Sequence, residues 1–252
     1  MPVYETESLV LKSYNLAEAD RIVVFFTREH GLVRGVAKGA KRLKSRFGST
    51  LEIFSTVQLS YFQKEERELV SIQTVELLDS CFDQASDPYF LETFSYIADL
   101  LTEFAPPHDP SEKLYRMTKA CLETAKADRD SLPAVRLYFE LWLLRLAGYL
   151  PDWSKCDNCR RSFAVDETAN IQVHQQLFCA DCAKARGPQI GGREREIFHN
   201  VQKLSPPAFV EAVRAIAGPV DNVSVAMRSI IAKVLGKESG GRMMSRAGLG
   251  IQ

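Results

Sequence analysis

Two hydrophobic periods divide the chain. Through residue 80 the apolar residues fall in short runs dense in Val, Ile, Tyr, Phe and Thr, the residues that suit a pleated, half-buried surface. These runs predict strands over Val3–Tyr14, Arg21–Arg28, Leu32–Lys38, Thr56–Gln63 and Glu68–Leu77. Glu29-His30-Gly31 is a short glycine-containing link between the second and third, a hairpin signal. From residue 85 the period changes to helical. Asp87-Pro88 reads as an N-cap followed by proline at the first helical position, and Phe90, Phe94, Ile97, Leu101 and Phe104 then recur on one face until Pro106-Pro107. Further helices are predicted over Ser111–Ala127, Leu132–Ala147, Arg193–Leu204, Pro206–Ala217 and Val220–Leu235.

Five short strands in the first 80 residues predict a small barrel or sandwich; five is the strand count of an OB-fold, and an SH3-like barrel reads similarly. The fold class expected is α+β and multidomain. A barrel spans 1–80, a helical bundle spans 81–152 and 188–240, a four-cysteine insertion spans 153–187 and a glycine-rich basic tail spans 241–252. No internal repeat is visible. No apolar run approaches the ~18 residues of a membrane span, and Met1–Ser8 lacks the features of a secretory signal, so a soluble cytosolic protein with no membrane partner is expected.

Composition changes this picture only when the chain is cut. The 32 Lys+Arg and 32 Asp+Glu cancel. Residues 1–51, however, hold nine bases and five acids (+4), residues 52–182 hold 12 and 22 (−10), and residues 183–252 hold 11 and five (+6). Such asymmetry points to an anionic partner that the total conceals.

Four of the six cysteines form two C-x2-C pairs, Cys156/Cys159 and Cys179/Cys182, separated by 19 residues. That is zinc-site spacing, since each pair can aim two thiolates at one point. Sulfur would fill all four tetrahedral positions and leave none for water, so one structural Zn2+ is expected and no catalytic one. A redox dithiol is the alternative, but neither flank offers the βαβ pattern that usually carries it. Cys81 and Cys121 read as small core residues. His174 is read as a surface histidine.

The run from Arg34 to Arg46 places six cations, Arg34, Lys38, Lys41, Arg42, Lys44 and Arg46, in 13 residues with no acid. Lysine and arginine neutralise phosphates and release counterions, and Gly35 and Gly39 can let backbone approach a ligand. A basic barrel edge beside aromatic rings is a single-strand binding surface; Tyr14, Phe47, Tyr61 and Phe62 are the candidate stacking rings, each with a core role as its alternative. Gly35 to Lys41 does not make a phosphate loop, because Ala40 stands where that motif needs lysine. No hydrolase or dinucleotide motif occurs, and His30, His108, His174 and His199 are scattered, so no enzyme activity is predicted.

Three stretches together resemble the bacterial RecO family of DNA repair proteins. They are Val23–Gly31 (VVFFTREHG), Val36–Phe47 (VAKGAKRLKSRF), and Gly148-Tyr149-Leu150-Pro151 ahead of Cys156-x2-Cys159, and the likeness runs on to Met244-Ser245-Arg246. Arg160 departs from the pattern, standing where a glycine often follows the second cysteine. The resemblance implies an OB-fold, a helical domain and a zinc-bearing insertion in a non-enzymatic, nucleoid-associated mediator of recombination. Such a protein binds single- and double-stranded DNA and anneals complementary strands. It acts with RecR, often with RecF, and with the acidic C-terminal tail of SSB to load RecA in the RecF pathway. By motif, Arg34, Lys38, Lys41, Arg42, Lys44 and Arg46 would contact DNA and Cys156, Cys159, Cys179 and Cys182 would bind zinc. The remaining alternatives are a thiol redox sensor and a zinc-ribbon adaptor that binds only protein.

Overall fold

The computed structural model describes residues 3–63, 68–105, 109–172, 175–184, 187–216 and 221–236; His174 and the tail expected over 241–252 lie outside the described residues. Contacts divide the chain into two compact units, 1–148 with 199–217, and 149–198 with 218–252.

The first unit begins with five strands: β1 (Val3–Leu16), β2 (Asp20–Thr27), β3 (Gly31–Ala37), β4 (Thr56–Phe62) and β5 (Leu69–Asp79). They close into a barrel in the order β1-β2-β3-β5-β4, the OB-fold arrangement that the strand count had left open against an SH3-like barrel. β1 is long enough to serve both neighbours. It pairs with β4 through Val3–Leu9 and with β2 through Ser8–Leu16, and the register shifts between Val10 and Lys12, where one extra residue bends the strand. Closure comes from a parallel seam only three residues long, Arg34, Gly35 and Val36 against Leu69, Val70 and Ser71. Val10, Val23, Phe25, Val33, Leu59 and Ile72 point inward as the barrel core.

Gly35 is structural. A Cβ there would lie 2.6 Å from the Ile72 side chain and 2.9 Å from that of Val70, so the close approach the glycine permits is to β5 and not to a ligand. Gly39 has φ +72°, the left-handed turn that starts the β3–β4 connection. That connection turns back so that Phe47 and Leu51 fill the barrel interior.

Helices α1 (Pro88–Phe104), α2 (Glu112–Ala127), α3 (Leu132–Leu146) and α5 (Pro206–Ala215) pack in the same unit; α4 (Gly192–Asn200) and α6 (Asp221–Val234) are the other two. Asp87 caps α1 by accepting from the Tyr89 N–H at 3.0 Å, with Pro88 in the first turn. α3 is buried around most of its circumference, as the central helix of a bundle must be. The Trp142 indole N–H donates to the Val201 carbonyl at 3.0 Å, and the Tyr138 hydroxyl donates to that of Leu204 at 3.0 Å, which fixes the returning chain on α3. Cys81 and Cys121 are buried as expected; burial pushes the Cys81 thiol up to about 11 and the Cys121 thiol up as well, so both stay protonated. Among the described residues no helix is long and apolar enough to cross a membrane.

The helices cover one side of the barrel. Phe54 meets Phe94 with ring centroids 5.6 Å apart and Phe26 meets Tyr115 at 5.7 Å, while Lys12–Asp99 (2.6 Å), Lys119–Glu7 (2.5 Å) and Lys126–Asp79 (2.5 Å) pair across the same junction. Burial pulls the Glu7 carboxyl upward, but Lys119 and the Tyr115 hydroxyl outweigh it and hold it below its ordinary value of 4.5.

Two outcomes follow. Gly35→Ala forces the seam apart and is expected to cost about 1–3 kcal/mol, read as a lower urea midpoint with an unchanged slope. Because the Glu7 pKa is depressed on folding, its contribution is present above about 4.5 and disappears as pH falls through the folded value. Glu7→Gln should therefore lower the thermal midpoint at pH 7 and have a progressively smaller effect as the pH is taken down through the folded value, as a calorimetric pH series would show.

Candidate metal centre and nucleic-acid interface

The second unit is built around the paired cysteines. Three short strands, β6 (Ala169–Ile171), β7 (Leu177–Phe178) and β8 (Gln189–Ile190), form a sheet in the order β7-β6-β8. So small a sheet buries little apolar surface. Trp153 supplies the largest part, fully buried and stacked on Phe198 at 4.3 Å, with its indole N–H donating to the Gln175 carbonyl at 2.9 Å. Arg195 is buried too. It lies 4.9 Å over the Phe163 ring and donates to the carbonyls of Ala164 (2.7 Å) and Glu167, pinning the loop between the cysteine pairs. Arg161 forks onto Glu167 at 2.6 and 2.7 Å and holds that carboxyl down at about 2.

The four thiols converge. The sulfurs of Cys156, Cys159, Cys179 and Cys182 all lie within 4.8 Å of one another. Cys159 and Cys179 are 3.9 Å apart, close to the ~3.8 Å edge of a tetrahedron with metal–sulfur bonds of about 2.3 Å and far outside the S–S bond of a disulfide. Each pair sits on a tight turn. In the first, the Cys156 N–H donates to the Arg161 carbonyl and the Arg160 N–H to that of Cys156, both at 2.9 Å. In the second, the Cys182 and Ala183 N–H groups donate to the Cys179 carbonyl at 3.1 and 3.0 Å. Arg160 takes φ +61°, so this arginine adopts the backbone conformation for which a glycine is usual after the second cysteine.

Two residues that the spacing alone did not single out join the turns. The Asp157 N–H donates to the Leu177 carbonyl at 2.9 Å, and the Leu177 N–H donates back to the Asp157 carboxylate at 3.2 Å. The Asn158 amide donates to the Cys182 sulfur at 3.3 Å, and the Cys179 N–H to the Cys156 sulfur at 3.4 Å. Burial raises the Cys156 thiol, yet the backbone N–H groups of Cys179, Cys159 and Asn158 bring it down to about 6. The Asn158 amide lowers Cys182, but the neighbouring thiols prevail and push it up to about 11. Four thiolates so close need a positive charge among them, and an all-sulfur set of this spacing fits a soft divalent ion such as Zn2+.

The basic run lies in the first unit, along β3 and the connection after it. Arg34, Lys38, Lys41, Arg42, Lys44 and Arg46 are all exposed, and among the described residues none is paired with an acidic side chain. Seven other cations of the same unit, Lys12, Arg28, Lys119, Lys126, Arg129, Arg136 and Arg214, each have a carboxylate partner; others without one among the described residues, such as Lys113, Arg116 and Arg145, are scattered singly along the helices and do not form a run. Asp20, beside the run, accepts instead from the Gly39 N–H at 2.8 Å, and the Lys41 N–H donates to the Ala19 carbonyl at 2.9 Å. These bonds fasten the connection to the β1–β2 turn. At its other end Arg46 donates to the Ile72 carbonyl of β5 at 3.2 Å.

Strand register then shows which rings lie outside. Tyr14, Ile22, Val36, Ser71, Phe62 and Val3 are successive cross-strand partners around the barrel, and every one is exposed or half-buried. Arg34 and Lys38 flank Val36 with the two-residue period of one strand face. Of the four candidate stacking rings, Tyr14 is 51% exposed and Phe62 half-buried, whereas Phe47 and Tyr61 are core residues at 1% and 2%. Phe47 and Tyr61 are therefore not available to a base: one plugs the barrel and the other faces inward between outward neighbours.

The fold and these two features define a class of protein: an OB-fold barrel with unpaired surface cations, joined in sequence to helices and a four-cysteine centre. Residues 1–81 match the family model described as Recombination protein O N terminal, and residues 86–225 match Recombination protein O C terminal. The chain belongs to the RecO family of DNA repair proteins. It is similar to the DNA repair protein RecO of Koribacter versatilis, 33% identical over 194 residues that cover 77% of this chain and 78% of the relative. The RecO proteins of Syntrophotalea carbinolica (32% over 177 residues, 70% and 68% covered) and Geobacter metallireducens (30% over 179 residues, 71% and 72% covered) are comparable relatives.

Removing one ligand tests the metal centre. Cys179→Ser is expected to reduce bound metal, by elemental analysis, to a small fraction of the wild-type content, and to expose the Trp153 indole, seen as a red-shifted emission. Full metal retention would refute the ligand set.

Proposed function

We propose that this chain is a non-enzymatic DNA-binding mediator that holds single- and double-stranded DNA on Arg34, Lys38, Lys41, Arg42, Lys44 and Arg46 and brings complementary strands together. The observation that carries the reading is the contrast in charge pairing. Six exposed cations within one short stretch have no carboxylate partner among the described residues, whereas Lys12, Lys119, Lys126 and Arg214 of the same unit each have one. Unpaired cations at the barrel surface attract a polyanion, and each phosphate neutralised releases counterions. Tyr14 and Phe62 offer ring faces beside them for unpaired bases.

Annealing needs no reacting group on the protein. Two DNA strands repel each other, and a cationic surface that engages both raises their local concentration and screens the repulsion. Exchange from SSB-coated DNA toward RecA then follows from competing affinities, with RecR, the acidic SSB tail and in some settings RecF as the partners supplied by the family reading. Such work belongs in the cytoplasm, at the nucleoid. One Zn2+ held by Cys156, Cys159, Cys179 and Cys182 would act structurally, supplying the stabilisation that the small sheet lacks.

Fluorescence anisotropy of a labelled single strand across a salt series tests the surface. Contact with about 4–6 phosphates gives a log–log slope of about −3 to −4. Lys38→Glu with Arg42→Glu is expected to weaken binding at least about tenfold and to make the slope shallower by about 1 or more. A wild-type slope near zero, or an unchanged double variant, would sink the reading. Annealing of SSB-coated complementary oligonucleotides without added nucleotide is expected to proceed with the wild type and to fail with the double variant.

A further inference from the structure

One side chain on the basic connection belongs neither to the barrel core nor to the charge arrangement. Leu43 is 103% exposed, more than any other large hydrophobic among the described residues. Lys41 and Arg42 precede it, Lys44 and Arg46 follow, and all four are exposed and without an acidic partner among the described residues. The turn that carries it is tied down on both sides. The Lys41 N–H donates to the Ala19 carbonyl at 2.9 Å, the Arg42 N–H to that of Gly39 at 3.1 Å and the Ser45 N–H to that of Arg42 at 2.9 Å, while Phe47 is anchored in the barrel. A single exposed leucine is ordinary on a protein surface. A leucine held out by a hydrogen-bonded turn, between two pairs of unpaired cations, is complementary to a narrow apolar slot bordered by anions.

We propose that Leu43 is an apolar wedge that enters between adjacent base pairs of duplex DNA while Lys41, Arg42, Lys44 and Arg46 engage the phosphates on either side. The proposal rests on the reading of this connection as a DNA-binding surface. Stacked base pairs between two phosphate chains are that slot, and leucine is among the side chains that can part a base step and kink a duplex. A lipid surface also presents anions over an apolar layer, but one leucine buries too little there to hold a protein of this size. The apolar burial of one leucine and the cost of unstacking one step are of similar order. Insertion is thus selective for the steps that unstack most easily, the flexible pyrimidine–purine ones, over a stiff A-tract.

The test uses the full chain and two duplexes of equal length, one with a central TA step carrying 2-aminopurine and one with a central A-tract. Wild type is expected to raise the 2-aminopurine fluorescence at saturation and to bind the TA duplex roughly 5-fold more tightly than the A-tract duplex. Leu43→Ala, an exposed position whose change leaves the fold intact, should keep the A-tract affinity and the salt slope but lose the fluorescence rise and the preference. Leu43→Met should retain both. No fluorescence rise with wild type, or an equal rise with Leu43→Ala, overturns the wedge while leaving phosphate binding in place. Absence of binding to either duplex, with no effect of Lys38→Glu plus Arg42→Glu on single strands, would show that the DNA-binding reading itself had failed. Leu43-dependent capture by phosphatidylserine vesicles without any 2-aminopurine change would overturn the wedge in favour of a lipid surface.

Discussion

The three-residue parallel seam between β3 and β5 is the contact on which the first unit depends. A sheet of five strands closes on itself only if its last two edges can meet, and here they meet where Gly35 carries no side chain between Val70 and Ile72. With the seam closed, the strand order has no terminal strand, and only the parts of β3 and β5 outside these three residues lack a neighbour on that side. Closure also fixes the β3–β4 connection, because a chain leaving β3 at the seam must cross one end of the barrel before β4 begins. Phe47 and Leu51 fill that end. The cations between Lys38 and Arg46 are consequently turned outward: the residues between them and Leu51 have taken the interior positions.

The helices complete the arrangement by covering what the barrel does not need exposed. Phe26 and Phe54 meet α1 and α2, and the ion pairs of Lys12, Lys119 and Lys126 lie along that junction. The acids that make the middle of the sequence negative are used there and on helix surfaces. Lys12, Lys119 and Lys126 at the junction find partners, and among the described residues the cations on the β3–β4 connection do not. A chain with zero net charge can in this way present a local cationic surface, and its overall neutrality limits indiscriminate attraction to polyanions.

The cysteine unit solves a different problem. The three short strands themselves bury only a few apolar side chains, Ala169, Ile171, Leu177 and Ile190, too few to position four thiols. Hydrogen bonds take over that task. Asp157 locks the first turn to β7, Asn158 reaches the sulfur of Cys182, and Arg195 and the Arg161–Glu167 pair hold the intervening loop. The convergence of the four thiols is therefore a property of the polar scaffold between the cysteines as much as of the cysteines themselves.

By itself the sequence determined the elements and the chemistry carried by spacing. Period-2 and period-3.6 patterns placed β1 to β5 and the helices to within a few residues, because burial on one face leaves its period in the chain; β6, β7 and β8, two or three residues each, are too short to leave one and were not predicted. The two C-x2-C pairs announced a cluster of four thiols that could hold a metal, since a tight turn is a local structure. The six cations were visible as a run, but whether they were paired was not, because their possible partners lie on strands and helices distant in sequence. For the same reason only the tertiary structure decided that Gly35 serves the seam and that Phe47 and Tyr61 are core while Tyr14 stays outside. It also decided that Asn158 meets Cys182. Local periodicity is written by the near neighbours of a residue; pairing, close approach and the choice between two hydrophobic roles are set by residues that only closure of the chain brings together.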